Sequence, residues 1–402
     1  MSLEPSYTIV GINYWPEPTG NAPYNTDLAE ELSKKTPLTV ITGIPHYPWW
    51  QKQSMQGDSE YRSRNPNVEL IRLNHIVPKR QSNLSRAFME VTFGLNVILS
   101  RKLRGNMFIL VSPAMLSSAI VLAWLKMTRR RSKTLVWVQD LYEQGLRETE
   151  QNTGVLSRVV ARIENWTFRN ANHVVMAHPA FLAAKGLDQL DSVKYSSIPN
   201  WSQFTFNPTE GVAQTHLKYG LEGRTVVLHI GNMGVKQGLE NVIEAGRIAE
   251  NQDSAVTFVF VGAGNQLPKL HELAVGLGNV KFIPPVSESE LANLLQAADL
   301  LLVNEMTGVR EMSIPSKLTT YFLAGNPVLV CSERDSLAGK TVLDNGIGYW
   351  VQSGTPNALL AKIESLNLEE SKIVASRAKK FAQENLSKEA ALLKFLQKLQ
   401  NL

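Results

Sequence analysis

A hydroxyl group and a positive charge stand together at Ser316 and Lys317, directly after Pro315. Proline suits the first turn of a helix, because the N–H that it lacks has no helical partner there. The start of a helix also presents free backbone N–H groups and the positive end of the helix dipole, which attract phosphate. These residues therefore predict a phosphate site, although an ordinary capped helix explains the same pattern.

A series of apolar runs surrounds this candidate helix, and each run is followed by a loop and a helical pattern. The runs that read as strands are Thr225–Ile230, Val256–Val261, Val280–Ile283, Leu300–Val303 and, after the candidate helix, Val328–Cys331. Alternation of this kind predicts an α/β domain with a doubly wound parallel sheet, in which ligands bind beyond the carboxyl ends of the strands. Glycine-rich loops follow two of these strands, at residues 231–238 and 262–264.

The N-terminal half shows the same organisation. Tyr7–Ile12 reads as a strand, and the loop after it contains Gly20 and Asn21 before a helix begins. The next strand leads into a loop that contains His46 and Tyr47. Proline and aromatic residues are frequent in both loops, which favours a binding surface, while a plain strand–turn–helix unit stays possible.

One apolar stretch, residues 107–127, is long enough to be considered as a membrane span. Ser112 and Pro113 interrupt it, so a strand, a turn and an amphipathic helix are the better prediction. The arginines at 129–131 would then follow the C-terminus of that helix, where the helix dipole favours cations.

The chain resembles the retaining GT-B glycosyltransferases of family 4 (glycosyl transferases group 1), and among them the exopolysaccharide and O-antigen branch. The residues that carry the resemblance are Gly231-Asn-Met-Gly-Val-Lys-Gln-Gly238, Phe260-Val-Gly-Ala-Gly264, Ala297-Ala-Asp299 and Pro315-Ser-Lys317 through Ala324-Gly-Asn-Pro-Val328. It extends over nearly the whole chain and implies two Rossmann-like domains that face a cleft. Residues 1–200 would bind the acceptor, residues 201–386 would bind the nucleotide sugar, and a helix at 387–402 would pack back on the first domain.

The resemblance also implies roles for individual residues. The candidates for catalysis are Lys317, Lys236 and Asp140. The residues expected to hold the donor diphosphate are Gly20, Asn21, Gly231, Asn232, Gly234, Gln237, Ser316 and Lys317. Those expected around the base and ribose are Gly262, Gly264, Phe282, Ile283, Pro284, Glu305 and Thr320. The acceptor is expected near His46, Tyr47 and Asp140, and an N-cap or turn role for the aspartate is an equal alternative.

Several positions depart from the family pattern. The glutamate that binds the ribose hydroxyls in many members is replaced by Thr320, and its companion eight residues earlier by Met312. The arginine and lysine that often clamp the diphosphate are replaced by Asn232 and Gln237. The resemblance to the Pro-Ser-Lys branch implies that Lys236 and the lysine of that motif take over the cationic role.

The implied reaction transfers a sugar from a UDP-sugar to a glycan or lipid-linked acceptor, with retention of configuration, in cell-surface polysaccharide biosynthesis. Preorganised N–H groups and lysines can stabilise the leaving diphosphate, and the resemblance implies that neither a metal nor another cofactor is required. Two alternatives stay open: a nucleotide-sugar epimerase of the same fold, and a non-catalytic protein that binds sugar nucleotides or membranes.

Basic residues concentrate in the first half of the 402-residue chain. Residues 1–200 contain 23 Lys and Arg against 16 Asp and Glu, and residues 72–133 contain 12 basic residues and one acid. Apolar stretches lie between these charges, which predicts contact with an anionic membrane rather than nucleic acid, with a solvated surface as the other possibility. The single cysteine and the lack of a leader predict a cytoplasmic protein, peripheral at the inner face of the plasma membrane.

Overall fold

Short buried strands from the first 200 residues form one parallel sheet. The computed structural model describes residues 6–78, 82–112, 114–141, 155–190, 192–309 and 316–402. The strands of this sheet are β1 (Tyr7–Val10), β2 (Leu38–Gly43), β3 (Val68–Leu73), β4 (Met107–Ser112), β5 (Lys133–Val138), β6 (His173–Met176) and β7 (Tyr195–Ser197). They lie in the order β3-β2-β1-β4-β5-β6-β7. Parallel strands that are covered on both faces have nearly continuous apolar runs, and β4 is apolar from Met107 to Val111 and buried throughout.

Helices connect these strands and cover the sheet. They are α1 (Ala22–Ser33), α2 (Asp58–Arg64), α3 (Asn83–Leu99), α4 (Met115–Thr128), α5 (Val155–Asn170) and α6 (Pro179–Ala184). One compact unit, called unit 1 below, contains Met1–Asn200 and Ala391–Leu402. Within it the ring of Phe395 lies 4.6 Å from that of Trp137 on β5, so the end of the chain packs on the sheet of unit 1.

Unit 2, Trp201–Ala390, contains a second parallel sheet. Its strands are β8 (Thr225–Asn232), β9 (Val256–Ala263), β10 (Val280–Ile283), β11 (Leu300–Asn304), β12 (Val328–Ser332) and β13 (Tyr349–Gln352). They lie in the order β10-β9-β8-β11-β12-β13. The two sheets confirm the predicted α/β class with doubly wound parallel sheets.

The helices of the second half follow the same strand–helix alternation. They are α7 (Val212–Tyr219), α8 (Glu240–Asn251), α9 (Leu267–Leu273), α10 (Glu288–Ala297), α11 (Ser316–Ala324), α12 (Leu337–Asn345), α13 (Pro356–Glu364), α14 (Leu368–Asn385) and α15 (Lys388–Gln400). The predicted helix after Pro315 is therefore α11. Gly325, in the left-handed region at φ 85°, follows it, and Pro327 comes two residues later.

In each sheet the order in which successive strands are added reverses once, and this reversal determines which loops lie next to each other. In unit 1 the chain runs from β1 to β2 and β3 and then returns to place β4 on the other side of β1. In unit 2 it runs from β8 to β9 and β10 and returns to place β11 beside β8. Loops after the two strands at such a switch point diverge, which leaves a crevice at their carboxyl ends.

The prediction of an amphipathic helix after β4 is wrong. Residues on most sides of α4 are buried, and only its last turn, from Lys126, is exposed. The cause is close packing in unit 1: a Cβ built on Gly94 of α3 would lie 2.9 Å from the Cα of Ser117 on α4. Arg129 follows directly as the C-cap residue, as predicted for the arginine cluster.

Candidate functional site

The last residues of β8 and β9, and the glycine-containing loops that follow them, pack backbone against backbone. A Cβ on Gly262 would lie 2.2 Å from the carbonyl oxygen of Gly231, and a Cβ on Gly264 would lie 2.2 Å from that of Met233. Gly231 has φ 114° and Gly262 has φ 137°, a region that L-residues with side chains avoid. Apart from Gly231 and its two chain neighbours, no atom of the described residues lies within 4 Å of the Cβ position of Gly231, so none of these residues blocks a ligand from its backbone.

The first loop continues into a turn that side-chain amides hold in place. The N–H of Gly234 donates to Oε1 of Gln237 at 3.0 Å, and a short 3-10 turn, Val235–Gln237, follows. Nδ2 of Asn304, at the end of β11, donates to the carbonyl oxygens of Gln237 (2.7 Å) and Gly238 (3.0 Å). Asn304 is buried and was not predicted from the sequence. With Gln237 engaged in the turn, Asn232 and Lys236 remain exposed on the loop.

Lys317 lies in the first turn of α11, beside the end of β8. Its Nζ is 3.4 Å from Nε2 of His229, a residue that sequence reasoning missed. One turn further along α11, the hydroxyl of Tyr321 accepts a hydrogen bond from the N–H of Ile230 at 2.8 Å. The predicted phosphate-binding helix start and the loop that begins at Gly231 are thus brought together in unit 2.

Burial lowers the pKa of His229 well below its ordinary value, and the positive charge of Lys317 lowers it further. The carbonyl groups of Leu302 and Asn232 act in the opposite direction. The imidazole is therefore neutral at physiological pH. Pro315 and Met312 lie outside the described residues, and the side chain of Ser316 does too.

The residues predicted around the base and ribose lie at the neighbouring strand ends, with unequal access. The ring of Phe282 stacks on Phe260 at 5.2 Å, and Ile283 is buried in the core, whereas Pro284 is exposed. Ile283 can therefore offer a ligand only its backbone, whereas the side chain of Phe282 is half-buried. Glu305 is buried directly after β11.

Thr320, at the position of the missing ribose-binding glutamate, lies on the second turn of α11. Its hydroxyl lies 3.2 Å from that of Ser202, the second residue of unit 2. The ribose contact predicted for Thr320 and Glu305 remains a prediction, and the side chain of Thr320 is only half-buried.

In unit 1 the loop after β1 meets the loop after β2. A Cβ on Gly20, which has φ 69°, would lie 3.1 Å from the ring of Tyr47. Asn21 precedes α1, and its Nδ2 lies 3.3 Å from the carbonyl oxygen of Ser112 at the end of β4. The predicted donor loop and the predicted acceptor residue Tyr47 are therefore neighbours at one edge of the sheet.

His46 is not open to an acceptor as predicted, because its ring is buried. Nδ1 of His46 lies 3.1 Å from the carbonyl oxygen of Ile44 and 3.3 Å from Oε1 of Glu17. On its other side the ring of His75 lies 4.7 Å away. Burial lowers the pKa of His46, whereas the nearby Glu17 raises it. The acceptor role predicted for this loop can only involve its backbone, Tyr47 or the tryptophans that follow.

Asp140 lies two residues beyond the end of β5 at Val138. Its side chain is exposed, while the preceding Gln139 is buried. No atom of the described residues forms a hydrogen bond with either end of the Gln139 amide. A buried amide without partners is uncommon, so Gln139 is the more informative member of the pair.

Only some residues of the basic region predicted from the charge distribution lie on the surface. Arg72 is buried, and its guanidinium donates to both carboxylate oxygens of Asp58 at 2.7 and 2.6 Å. Lys79 and Arg80 lie outside the described residues. The exposed members are Arg86, Arg101, Lys102, Arg104, Lys126, Arg130, Arg131 and Lys133.

Across the ranges that the structure describes, no three or more His, Cys, Asp or Glu residues are arranged to hold a metal ion. In the same ranges no helix has the length and apolar character needed to cross a bilayer.

Sequence comparison links the chain to known proteins. Residues 214–385 match the family model described as Glycosyl transferases group 1. A protein of Escherichia coli K12 described as a colanic acid biosynthesis glycosyl transferase, WcaI, is 28% identical over an alignment of 406 residues, which covers 96% of this chain and 98% of that protein. WbjE of Pseudomonas aeruginosa, described as a glycosyltransferase, is 26% identical over 174 residues, or 43% of this chain and 44% of its own.

Solved structures show the same fold at low identity. Anabaena HepE in complex with UDP aligns over 99% of this chain and 100% of its own, with a TM-score of 0.71 and 14% identity. WaaG, a glycosyltransferase involved in lipopolysaccharide biosynthesis, aligns over 96% of this chain and 99% of its own, with a TM-score of 0.62 and 16% identity.

Proposed function

We propose a donor, an acceptor and a place of action for this chain, which is a glycosyltransferase with the GT-B fold and a glycosyl transferases group 1 domain. It transfers a sugar from a UDP-sugar to a glycan or polyprenyl-diphosphate-linked acceptor, with retention of configuration, in cell-surface polysaccharide biosynthesis. Relatives described as polysaccharide and lipopolysaccharide enzymes support this pathway. UDP is the first nucleotide to test, because Anabaena HepE was crystallised with UDP and with UDP-glucose.

The observation that carries the proposal is the meeting of three elements at the switch point of unit 2. The loop at Gly231, the loop at Gly262 and the first turn of α11 converge there, and Lys317 lies at that point. Free N–H groups at a helix start and a lysine are the groups that stabilise a leaving diphosphate. This stabilisation acts as the sugar–phosphate bond breaks, when negative charge develops on the diphosphate.

A panel of nucleotide sugars tests the donor. We expect UDP and one UDP-sugar to raise the melting temperature of the protein, and that sugar to be transferred to a lipid-linked or glycan acceptor. An epimerase would interconvert the donor sugar without an acceptor, and a non-catalytic protein would neither transfer nor hydrolyse the donor. Either outcome overturns the proposal.

Lys317→Ala tests the leaving-group step. Loss of one preorganised cation should remove roughly 2 to 4 kcal/mol of transition-state stabilisation. The melting temperature should change little, since Lys317 is only half-buried. Lys372→Ala, an exposed lysine on α14, is the matched control and should leave turnover unchanged. Equal turnover in the two variants would contradict the role of Lys317.

The membrane contact is proposed on the exposed face of α3. Leu84, Phe88, Leu95 and Leu99 are between 43% and 72% exposed. At about 100° per residue they fall within an arc of about 60°, opposite the buried residues Met89, Phe93 and Val97. The helix thus buries one apolar face in unit 1 and presents a second to solvent.

Charges beside this face favour an anionic bilayer as its partner. Arg101 and Lys102 are exposed and follow the helix after Ser100. Arg86 lies on the other side of the helix, where its guanidinium is 5.1 Å from the ring of Trp50. Exposed apolar side chains flanked by cations are typical of helices that lie in the membrane interface. Each Lys or Arg close to an anionic surface contributes about 1 kcal/mol, and salt weakens this attraction.

Vesicle flotation tests the contact. We expect the protein to float with vesicles that contain phosphatidylglycerol, less so as salt rises, and not with phosphatidylcholine alone. Phe88→Glu with Leu95→Glu should abolish flotation, and Arg130→Glu with Arg131→Glu should weaken it. Val275→Glu, at an exposed apolar residue of unit 2, is the control. If the α3 variant floats as the control does, α3 is a solvated surface and a soluble acceptor becomes the better proposal.

A further inference from the structure

Three successive carbonyl groups, those of residues 236–238, accept hydrogen bonds from the end of β11. Nδ2 of Asn304, the last residue of that strand, donates to the last two of them, at 2.7 and 3.0 Å. The N–H of Met306 donates to the first at 2.8 Å. Gly238 has φ 53°, and a Cβ on it would lie 2.8 Å from the Cα of Met306, so glycine allows this close approach. Because β11 lies beside β8, these bonds join the loop after one strand to the end of its neighbour.

The partners of Asn304 determine how its amide is oriented. A carbonyl oxygen can only accept, so the amide nitrogen must face the turn, and it uses both of its protons there. The amide oxygen accepts from Nδ2 of Asn241, in the first turn of α8, at 3.2 Å. Asn304 is 2% exposed, and both ends of its amide are thus paired. A buried polar network with paired members keeps one arrangement, so the turn is fixed from within unit 2.

The direction of these carbonyl groups matters to an anionic ligand. A carbonyl oxygen carries partial negative charge and donates no hydrogen bond, so it repels phosphate oxygens. The carbonyl groups of Gln237 and Gly238 point at a buried side chain, and hence into the protein rather than toward a ligand. Without the amide of Asn304 they would lose these partners, and the turn would gain conformational freedom.

We propose that Asn304 is a positioning residue of the donor site, which fixes the turn at 235–238 in the conformation that accepts the diphosphate. The inference rests on the proposed function, in which the loop that begins at Gly231 faces the diphosphate. A loop that must be ordered during binding loses affinity, and a loop that is already ordered does not. Asn304 therefore strengthens phosphate binding without touching the ligand, because it keeps two carbonyl groups directed inward.

A second buried asparagine of unit 2 makes the same pair of contacts far from the strand ends that bind ligands. Nδ2 of Asn279 donates to the carbonyl oxygens of Gly246 at 2.9 Å and Val256 at 3.4 Å, and Asn279 is 1% exposed. It directly precedes β10, and Val256 is the first residue of β9, so both lie at the amino ends of their strands. Ligands of doubly wound sheets bind at the opposite ends, which makes Asn279 a matched control.

The test compares two ligands and two asparagines. Asn304→Asp keeps the size of the side chain but replaces the donating nitrogen with an oxygen, and Asn304→Leu removes both ends of the amide. Asn304→Ser is a milder change that keeps one hydroxyl donor, and it serves if the other two variants do not fold. Asn279→Asp is the control. The affinities for UDP and for uridine are measured by calorimetry, and hydrogen exchange of residues 235–239 is measured in the free protein.

We expect the parent to bind UDP more tightly than uridine. The Asp and Leu variants at position 304 should bind UDP about tenfold more weakly, because two carbonyl groups lose their donor and the turn is no longer ordered. Their affinity for uridine, which lacks the phosphates, should be unchanged. Hydrogen exchange of residues 235–239 should be faster. Asn304→Ser should lie between these variants and the parent.

Asn279→Asp should also lower the melting temperature, since it removes two similar buried hydrogen bonds. Its affinity for UDP and the exchange of residues 235–239 should nevertheless equal those of the parent. A structural role alone would make the variants at the two positions behave alike.

The outcomes separate the two proposals. If the parent binds UDP no more tightly than uridine, the proposed site for the diphosphate fails. If the parent prefers UDP and the folded Asn304 variants keep the whole of this preference, only the positioning role of Asn304 is overturned. Equal losses for uridine and UDP, or the same loss of UDP affinity in Asn279→Asp, also overturn it.

Discussion

Glu17 accepts a hydrogen bond from the backbone N–H of Tyr47, with 2.9 Å between Oε1 and the nitrogen. The same oxygen accepts from the N–H of His46 at 2.7 Å, and Oε2 accepts from Nδ2 of Asn13 at 2.8 Å. A buried carboxylate with three N–H donors thus joins the loop after β1 to the loop after β2. Because Tyr47 also contacts Gly20, this one side chain shapes both loops that are predicted to face the substrates.

Replacement of Glu17 by glutamine should therefore loosen both loops. The amide nitrogen of glutamine is a donor, and it would face a group that is itself a donor. We expect a loss of about 1 to 3 kcal/mol in the free energy of unfolding, the cost of unpaired buried polar groups. Urea unfolding measures it, with the exposed Glu60→Gln as the control. Equal stability of the two variants would show that Glu17 does not hold the loops.

The free energy of unfolding should decrease as the pH falls, because His75 is buried in its neutral form. Burial lowers its pKa to about 3, and the nearby His46 adds to this effect. An unfolded histidine takes up its proton near pH 6.5. As pH falls below about 6.5 the unfolded state binds the proton and the folded state does not, so the free energy of unfolding falls until about pH 3.

This dependence can be assigned to one residue by substitution. His75→Leu should flatten the pH dependence of the free energy of unfolding between pH 6 and 4 by up to about 1.4 kcal/mol per pH unit. His271→Gln, at an exposed histidine, is the comparison. A His75 variant with the same slope as the parent protein would contradict the prediction.

Gln139 should show a trade-off between stability and activity. Its amide is buried and makes no hydrogen bond to any described residue, which is costly in the free protein. Methionine has a similar shape and no need of partners, so Gln139→Met should raise the free energy of unfolding by about 1 kcal/mol. If the amide serves to bind a substrate hydroxyl, the same variant should lose transfer activity. A variant that is destabilised, or fully active, would argue against this reading of Gln139.

Cys331 should report on the opening of unit 2. It is the single cysteine of the chain and lies on β12, where burial raises the pKa of its thiol to about 12. The thiolate is the reactive form, so the native protein should resist thiol reagents at pH 8 and react after unfolding in urea. Bound UDP should slow the reaction further, because a ligand of the folded state makes opening rarer. Rapid labelling of the folded protein would contradict the burial of this residue.

Much of the second sheet could be predicted from sequence, because the patterns that indicate its strands lie within short segments. Val280–Ile283 is a strand with the predicted bounds, and the other runs are correct within two residues at their ends. Apolar periodicity and glycine positions are properties of short segments, so they survive without knowledge of the fold. Where a local pattern needed a packing partner to be interpreted, as for α4, the prediction was wrong.

The sequence by itself determined the alternation of strands and helices, the glycine-rich loops and the placement of Lys317 in a helix start. The tertiary structure alone decided which polar side chains meet. His229 and Lys317 are 88 residues apart, and Glu17 and Tyr47 are 30 apart. It also decided that Arg72 is buried against Asp58 while one apolar face of α3 is exposed. Burial and pairing depend on partners from distant strands, and no local pattern of residues encodes them.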